Sequence, residues 1–385
     1  MLNIFEIYTH LKQGHLPPLH LVPEPLLDAT ASLCSLRGKM SKLTSLERIL
    51  ATLYHKKPDR VPVTPLLGSG ARQIKGISFP DFSLNPDTAS QVFIDGYEFI
   101  GGDMVILLLD LSMEAHDFGQ KLTYPEKSTA MPDDNHRAIK TVDDYEKLKP
   151  IDLAQAKRMQ AFIELCRLTV KRIGLRGVVT GFVFGPIGIL SMMRGAEALF
   201  KDCILYPRKV KKACETITEV LIPFVQAQCE TGIGGIAIDT LFASANGLPK
   251  PLWEELEGPF VREISRAIKS KGLISGIHNC GHQCYFDVQI RYMEPEVISF
   301  AHLPDDCSSP RELKEKYGDQ VTLMGHIPTP LLINGSPYQV QEACRAQIED
   351  YARDGGYILA PGCEYPPNIA LTNALAIVKA AKKYG

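Results

Sequence analysis

Residues 235–278 read GIAIDTLFASANGLPKPLWEELEGPFVREISRAIKSKGLISGIH, and this stretch decides the fold. Its two ends, GIAIDT and GLISGIH, are short and almost unbroken apolar runs, whereas residues 251–270 have the apolar spacing of an amphipathic helix. Short apolar strands joined by a helix are typical of a parallel sheet that is covered on both faces. The stretch therefore predicts one strand–helix–strand unit of an α/β protein.

The same unit recurs along the chain. Eight strand candidates can be counted, at 61–67, 103–111, 177–184, 235–240, 272–278, 297–302, 321–326 and 356–362. Helical patterns lie at 43–57, 155–173, 191–201, 207–231, 251–270, 310–317, 337–353 and 368–383. Eight such strands predict a single (β/α)8 TIM barrel over residues 43–385, preceded by an N-terminal extension, residues 1–42. An open doubly wound sheet is the alternative, but no G-x-G-x-x-G turn follows the first strand.

Composition excludes several classes of function. The 42 Lys and Arg residues nearly balance the 44 Asp and Glu residues, so nothing in the charge favours binding to nucleic acid or to an anionic membrane. The longest apolar runs fall short of the roughly 18 residues that a membrane span needs. The 10 cysteines have no paired spacing and no signal peptide precedes them, which indicates reduced thiols in a cytoplasmic protein.

Polar side chains stand where the predicted strands end. In a barrel, the carboxyl ends of the strands form the face on which active sites lie. Three histidines, an aspartate and a Cys-Glu pair occupy these ends: Asp239, His278, His302, His326 and Cys363-Glu364. They are therefore the first candidates for a functional site.

The sharpest motif is HNCG, residues 278–281. His278 and Cys280 are two residues apart at a strand end, so their side chains point to the same face, and Cys363 can join them from the last strand. One imidazole and two thiolates suit Zn²⁺ and leave a fourth position open for a substrate. The alternative is that both cysteines are merely buried at the rim and that His278 is hydrogen-bonded there.

Other candidates surround this motif. Asp239 can hold a substrate or orient a metal ligand, or else cap the next helix, and Glu364 can orient the site or approach the metal. The FGPIG segment, residues 184–188, permits close approach of a flat ligand but is also consistent with a tight turn. The residues predicted to bind the substrate are Phe182, Phe184, Met192, His326 and Tyr365, although methionines on a helix are more often core.

With these residues in place, the chain resembles the uroporphyrinogen decarboxylase superfamily from about residue 43 to its end. The resemblance is carried by PDRVPV (58–63), FGPIG, HNCG, GHIP (325–328) and GGYILAPGCEYPP (355–367). It implies a (β/α)8 barrel. The decarboxylases carry an arginine-rich segment of the type RQAGRY after the first strand. This chain has LLGSGARQIKG there, residues 66–76, which disfavours decarboxylation of a haem precursor.

The other branch of that superfamily is the corrinoid-dependent methyltransferases. Their zinc motif, His-x-Cys with a distant second Cys, matches His278, Cys280 and Cys363 one by one. The resemblance implies Zn²⁺ at these residues and a cobalamin or other corrinoid carried by a separate partner protein. A separate carrier is expected because the chain has no D-x-H-x-x-G cobalamin motif. A homodimer is also expected.

Members of this branch transfer methyl groups in either direction. We favour transfer from a methylated small molecule, a methoxylated aromatic, to the cobalt of a corrinoid protein. The N-terminal extension is longer than in compact thiol methylases, and Glu364 is available to protonate or hold a phenolic oxygen. The alternative is a methylcorrinoid:coenzyme M methyltransferase, and a further alternative is a non-catalytic barrel that binds a tetrapyrrole or corrinoid.

Overall fold

The computed structural model describes residues 43–385, so the predicted extension, residues 1–42, lies outside the described part of the chain. One parallel sheet of seven strands runs through this part. In spatial order the strands are β1 (Met104–Ile106), β4 (Val178–Phe184), β5 (Gly235–Asp239), β6 (Ile274–Asn279), β7 (Val297–Phe300), β8 (Thr322–Ile327) and β9 (Tyr357–Pro361). Two short strands, β2 (Leu122–Thr123) and β3 (Met131–Pro132), form a separate antiparallel pair. The predicted α/β fold with a parallel sheet is confirmed.

The predicted closed barrel needs a correction, because the described residues form seven sheet strands and not eight. The predicted first strand, 61–67, makes only an isolated parallel bridge between Val63 and Leu359 of β9. On its other side the Asp103 N–H donates to the Val63 carbonyl at 2.7 Å. Proline residues at 62 and 65 lack the N–H groups that a regular ladder requires. The segment is therefore extended and bonded on both sides without forming a strand.

Helices cover the connections between the strands. Their bounds are α1 Ser45–Leu53, α2 Phe79–Leu84, α3 Pro86–Ile100, α4 Met113–Asp117, α5 Lys157–Ile173, α6 Pro186–Arg194, α7 Ala196–Leu205, α8 Pro207–Cys229, α9 Lys250–Leu256, α10 Gly258–Ser270, α11 Phe286–Met293, α12 Pro310–Tyr317, α13 Thr329–Asn334, α14 Pro337–Tyr351 and α15 Thr372–Tyr384. Within the described residues, no helix is long and apolar enough to cross a membrane.

Two predicted helices are each divided in two. The pattern at 191–201 spans the end of α6 and the start of α7, which are separated by Gly195 at φ +87°. The pattern at 251–270 spans α9 and α10, which meet at Glu257. Helix α3 was not among the helices predicted, although Asn85 caps it and Pro86 occupies its first turn. Apolar periodicity alone does not locate such breaks, because the buried face continues across them.

A buried ion network ties the start of this region to the sheet. The Asp103 carboxylate, just before β1, is fully buried and accepts hydrogen bonds from Arg48 of α1 at 2.6 Å and from Arg60 at 2.7 and 2.9 Å. It also accepts the Val63 N–H at 2.9 Å. Asp59 pairs with Arg48 at 2.7 Å. The PDRVPV motif therefore holds the 61–65 segment and α1 against β1.

Candidate active site

His278, Cys280 and Cys363 converge at the carboxyl ends of β6 and β9. Their ligand atoms all lie within 4.8 Å of one another. In a tetrahedral zinc site with Zn–S bonds near 2.3 Å, two sulfur ligands stand about 3.8 Å apart. Three N and S donors at this spacing therefore fit a Zn²⁺ ion with a fourth position left for another ligand.

The second ring nitrogen of His278 is also engaged. Nδ1 lies 3.0 Å from the Oγ of Ser299 on β7. This contact leaves Nε2 as the nitrogen for the metal. A hydrogen bond to the far side of a ligating imidazole fixes its ring orientation and its tautomer.

The two thiols are electrostatically unequal. A hydrogen bond from Cys280 lowers the pKa of Cys363, although burial opposes this, and the His278 imidazole acts in the same direction as the bond. The same contact with Cys363 raises the pKa of Cys280. One thiolate is thus favoured in the protein itself. Since metal binding requires deprotonated ligands, this arrangement is suited to capture a cation.

Asp239 lies beside the donor set. It is in register with His278 across β5 and β6, and its Oδ1 accepts the Leu241 N–H at 2.9 Å. The carboxyl therefore caps the turn that follows β5 and lies on the strand next to the imidazole, while its role in holding a substrate or orienting a metal ligand stays a prediction. Burial raises the pKa of Asp239 to about 6.

Two of the predicted pocket aromatics form a wall next to the histidine. Phe184 is in register with Asp239, and its ring centroid lies 5.2 Å from that of Phe182. The Phe182 ring lies 6.4 Å from the His278 ring. Met192 sits farther along α6, where its side chain packs against the hydrophobic core and its carbonyl accepts from Arg137.

Two other predicted site residues, Tyr365 and His326, have their polar atoms directed elsewhere. Tyr365 is fully buried and its hydroxyl donates to the Ala370 carbonyl at 2.6 Å, so the structure does not support the prediction that it binds the substrate. The His326 ring contacts the Tyr351 hydroxyl of α14 at 3.0 Å and stacks on Phe300, so it too is engaged away from the predicted pocket. Burial lowers the pKa of His326 to about 4, so its ring is neutral.

Glu364 holds a neighbouring loop in place through hydrogen bonds. Its Oε1 accepts both the N–H and the Oγ–H of Ser69, at 2.8 and 2.9 Å. A side chain at Gly68 would lie 2.1 Å from this oxygen, so the close approach requires glycine there. The predicted catalytic glutamate thus fastens the loop after the 61–65 segment to the end of β9, one residue from Cys363.

Three further candidate functional residues, Ser299, Glu257 and Glu114, were not predicted from the sequence. Ser299 was not found because its pairing with His278 depends on strand register, which the sequence does not show. Glu257 lies within the predicted helix 251–270, whose apolar pattern shows no break, so nothing in the sequence marked it as a functional candidate. Glu114 follows the second predicted strand and was not among the predicted site residues, yet it is fully buried, and burial raises its pKa to about 8.

Comparison with known proteins identifies the class. The family model for Uroporphyrinogen decarboxylase (URO-D) matches residues 44–384, so the chain belongs to this family. It is 25% identical over 353 residues to methylcobamide:CoM methyltransferase MtaA of Methanosarcina barkeri, covering 90% of this chain and 99% of the relative. It is 21% identical to methylcobamide:CoM methyltransferase MtbA of Methanosarcina acetivorans, covering 90% and 99%.

A solved structure agrees with the fold. The methyltransferase from Methanosarcina mazei superposes with a TM-score of 0.77 at 21% identity, covering 89% of this chain and 99% of that one. The predicted resemblance to the corrinoid-dependent methyltransferase branch is confirmed, and with it the prediction of an enzyme of this kind. The relatives support the thiol alternative better than the methoxyaromatic donor that the sequence analysis favoured.

Replacing Ser299 by Ala should weaken zinc binding. Loss of a partner of this type typically lowers metal affinity about 10- to 100-fold, because the imidazole loses its fixed orientation. Competition with a chromophoric chelator measures the effect. Ser275→Ala is the matched control, since this buried β6 serine bonds to Ser265 and not to a metal ligand. Equal zinc affinity in both variants would contradict the assignment of Ser299.

The stability of the wild type relative to Glu114→Gln should fall as pH rises from 5 to 8. The folded chain keeps the Glu114 proton up to about pH 8, whereas the unfolded chain loses it near the ordinary value of 4.5. Between these pH values the folded state binds more protons, so the free energy of unfolding decreases by up to about 1.4 kcal/mol per pH unit. Urea unfolding of both proteins at several pH values measures the difference, and a pH-independent difference would contradict the raised pKa.

Proposed function

We propose that the protein transfers a methyl group from a methylated corrinoid, carried by a partner protein, to a small thiol. The observation that carries this proposal is the convergence of His278, Cys280 and Cys363 at the carboxyl ends of the strands. The relatives named methylcobamide:CoM methyltransferase support the thiol as acceptor. Coenzyme M is the acceptor that those names point to.

The reaction balances without an oxidant. The bond between the methyl carbon and cobalt breaks with its electron pair left on cobalt, a carbon–sulfur bond forms, and the thiol gives up its proton. When bound at the three ligands, Zn²⁺ would lower the pKa of the thiol and keep it as the thiolate. The position left free by the three protein ligands is where the thiol sulfur would attach.

The remaining residues act around this position. Asp239 is in strand register with His278, and we assign it the proton that the thiol releases. Burial raises its pKa, which makes its carboxylate a better proton acceptor than an ordinary one. Phe182 and Phe184 form the apolar wall that excludes water, and Glu364 positions the segment that carries Cys363.

Cleavage of an aryl ether would use Glu364 to protonate or hold the phenolic oxygen. Its Oε1 accepts both polar hydrogens of Ser69, which leaves Oε2 able to carry a proton, and burial raises the pKa of Glu364 to about 7. The preference for a thiol over a methoxylated aromatic therefore rests on the relatives and not on Glu364.

The same proposal takes the 61–65 segment as the eighth member of a (β/α)8 barrel. Its support is the bridge from Val63 to Leu359 and the bond from the Asp103 N–H to Val63, which connect the segment to both edge strands. A corrinoid protein would approach the open face at the carboxyl ends. The expected homodimer would leave that face free.

Zinc-loaded protein incubated with methylcobalamin and coenzyme M tests the direction of transfer. We expect the cobalamin spectrum to change at a rate that depends on the thiol, and the methyl thioether to form in equal amount. Parallel incubation of reduced cobalamin with methoxybenzoates should give no methylcobalamin. Demethylation of the methoxybenzoate without thiol methylation would overturn the proposal, and cobalamin binding with neither reaction would favour the non-catalytic alternative.

A further inference from the structure

The FGPIG segment carries β4 into α6, and two glutamates from other parts of the chain hold its backbone. The Oε1 of Glu114, from α4, accepts the Phe184 N–H at 3.1 Å. The Oε1 of Glu257, at the junction of α9 and α10, accepts the Ile187 N–H at 3.0 Å. The two side chains are 0% and 1% exposed. The segment is therefore fixed at both of its ends by buried carboxyl groups.

Glu114 fills a gap in the sheet. Strand β1 pairs with β4 only as far as Ile106 and Thr180, and the last ladder bond runs from the Leu107 N–H to the Thr180 carbonyl. Strand β4 continues to Phe184, where β1 no longer offers an acceptor. The Glu114 carboxyl takes that place. Since Phe184 is in register with Asp239, and Asp239 with His278, this bond lies at the level of the metal ligands.

Glu257 caps the helix that follows. Gly185 is the N-cap of α6 and has no side chain to accept the free N–H groups of the first turn. Glu257 accepts one of them, and its Oε2 accepts the Trp253 Nε1–H at 2.6 Å. A Cβ on Gly185 would lie 2.4 Å from the Glu257 Oε1, so the glycine is needed for this approach. A carboxyl group here also faces the positive end of the helix dipole.

We propose that Glu114 and Glu257 are positioning residues that fix the Phe182–Phe184 wall beside the metal ligands, and so fix where the acceptor thiol lies. The inference rests on the proposed function. The wall is next to the site, since the Phe182 ring is 6.4 Å from His278. A displacement of about 1 Å in a reacting pair can cost on the order of 100-fold in rate.

The two variants that separate loss of the hydrogen-bond acceptor from loss of the carboxyl group are Glu114→Ala and Glu114→Gln. Alanine removes the acceptor of the Phe184 N–H, whereas the Gln amide oxygen keeps it. The second oxygen of Glu114 is buried without a hydrogen-bond partner among the described residues, so Gln introduces no conflict with a known neighbour. The carboxyl is protonated at neutral pH and therefore as uncharged as an amide, consistent with its pKa of about 8.

We expect kcat/KM for coenzyme M, with methylcobalamin as donor, to fall about 10- to 100-fold in Glu114→Ala and in Glu257→Ala. The KM for the thiol should rise, zinc content should stay at one per chain, and Glu114→Gln should stay within about threefold of the wild type. Hydrogen exchange of the amides in 184–188 should be faster in both alanine variants. That second readout needs no activity.

Asp117→Ala is the matched control. This carboxylate is also buried and accepts the N–H groups of Arg158 and Met159 at the start of α5, but it does not bond to the FGPIG segment. Its loss should cost stability without raising the KM. The inference is overturned if Asp117→Ala raises the KM equally, if Glu114→Gln loses as much as Glu114→Ala, or if exchange in 184–188 is unchanged. An inactive wild type would refute the proposed function alone, and the exchange result would still decide the positioning role.

Discussion

A Cys363→Ser variant is expected to bind less than one-tenth of the zinc of the wild type and to lose methyl transfer by about 1,000-fold or more. Cys363 is the ligand whose thiolate the fold already favours, because the bond from Cys280 and the nearby His278 lower its pKa. A serine hydroxyl stays protonated and is a poor ligand for Zn²⁺. A loss of 1,000-fold corresponds to about 4 kcal/mol of transition-state stabilisation, within the several kcal/mol that a metal supplies.

Metal analysis and the coenzyme M assay measure this effect on the same preparation. Cys307→Ser is the control, since Cys307 is also a half-buried free thiol but contacts Asp306 and not the metal ligands. It should keep its zinc and its activity. Full zinc content in Cys363→Ser, or full activity without zinc, would contradict the assignment of the three ligands.

The second large effect is on stability. Asp103→Ala should lower the free energy of unfolding by about 3–5 kcal/mol, because it leaves two arginines without their buried partner. The side chains of Arg48 and Arg60 are only 5% and 20% exposed. The loss also frees the Val63 N–H, which would loosen the 61–65 segment from the edge of the sheet. Urea unfolding measures the change.

Two further variants keep the test of the Asp103 network informative even if Asp103→Ala does not fold. Asp103→Asn keeps the size of the side chain and should lose part of the same stability if the alanine variant does not fold. Glu197→Ala removes an exposed partner of Lys201, and its free energy of unfolding should stay close to that of the wild type, because exposed ion pairs contribute little. A loss in Asp103→Asn as small as that in Glu197→Ala would show that the network does not hold the segment.

The sequence predicted most of the sheet. The apolar runs at 177–184, 235–240, 272–278 and 321–326 correspond to strands within one or two residues at each end. The exceptions are at the first two predicted strands. Residues 61–67 are held by isolated bonds, and the run 103–111 keeps only three residues as β1. Apolar content does not show where a neighbouring strand stops offering hydrogen bonds.

The sequence predicted the convergence of those site residues that follow the ends of strands. His278, Cys280 and Cys363 come together as expected, since parallel strands bring their carboxyl ends to one face. What depends on register or on side-chain direction was not predictable. Ser299 lies beside His278 only through the pairing of β6 with β7, and Tyr365 follows the motif yet turns into the core. Glu114 and Glu257 contribute through bonds between elements far apart in the chain.

X-ray absorption at the zinc edge, with and without coenzyme M, tests the central claim most directly. Zinc-loaded protein alone should show two sulfur ligands and one imidazole nitrogen, with an oxygen or nitrogen in the fourth position. Addition of the thiol should raise the count to three sulfurs at about 2.3 Å, because the free position accepts the thiolate. An unchanged spectrum with saturating thiol, or a first shell without two sulfurs, would contradict the account.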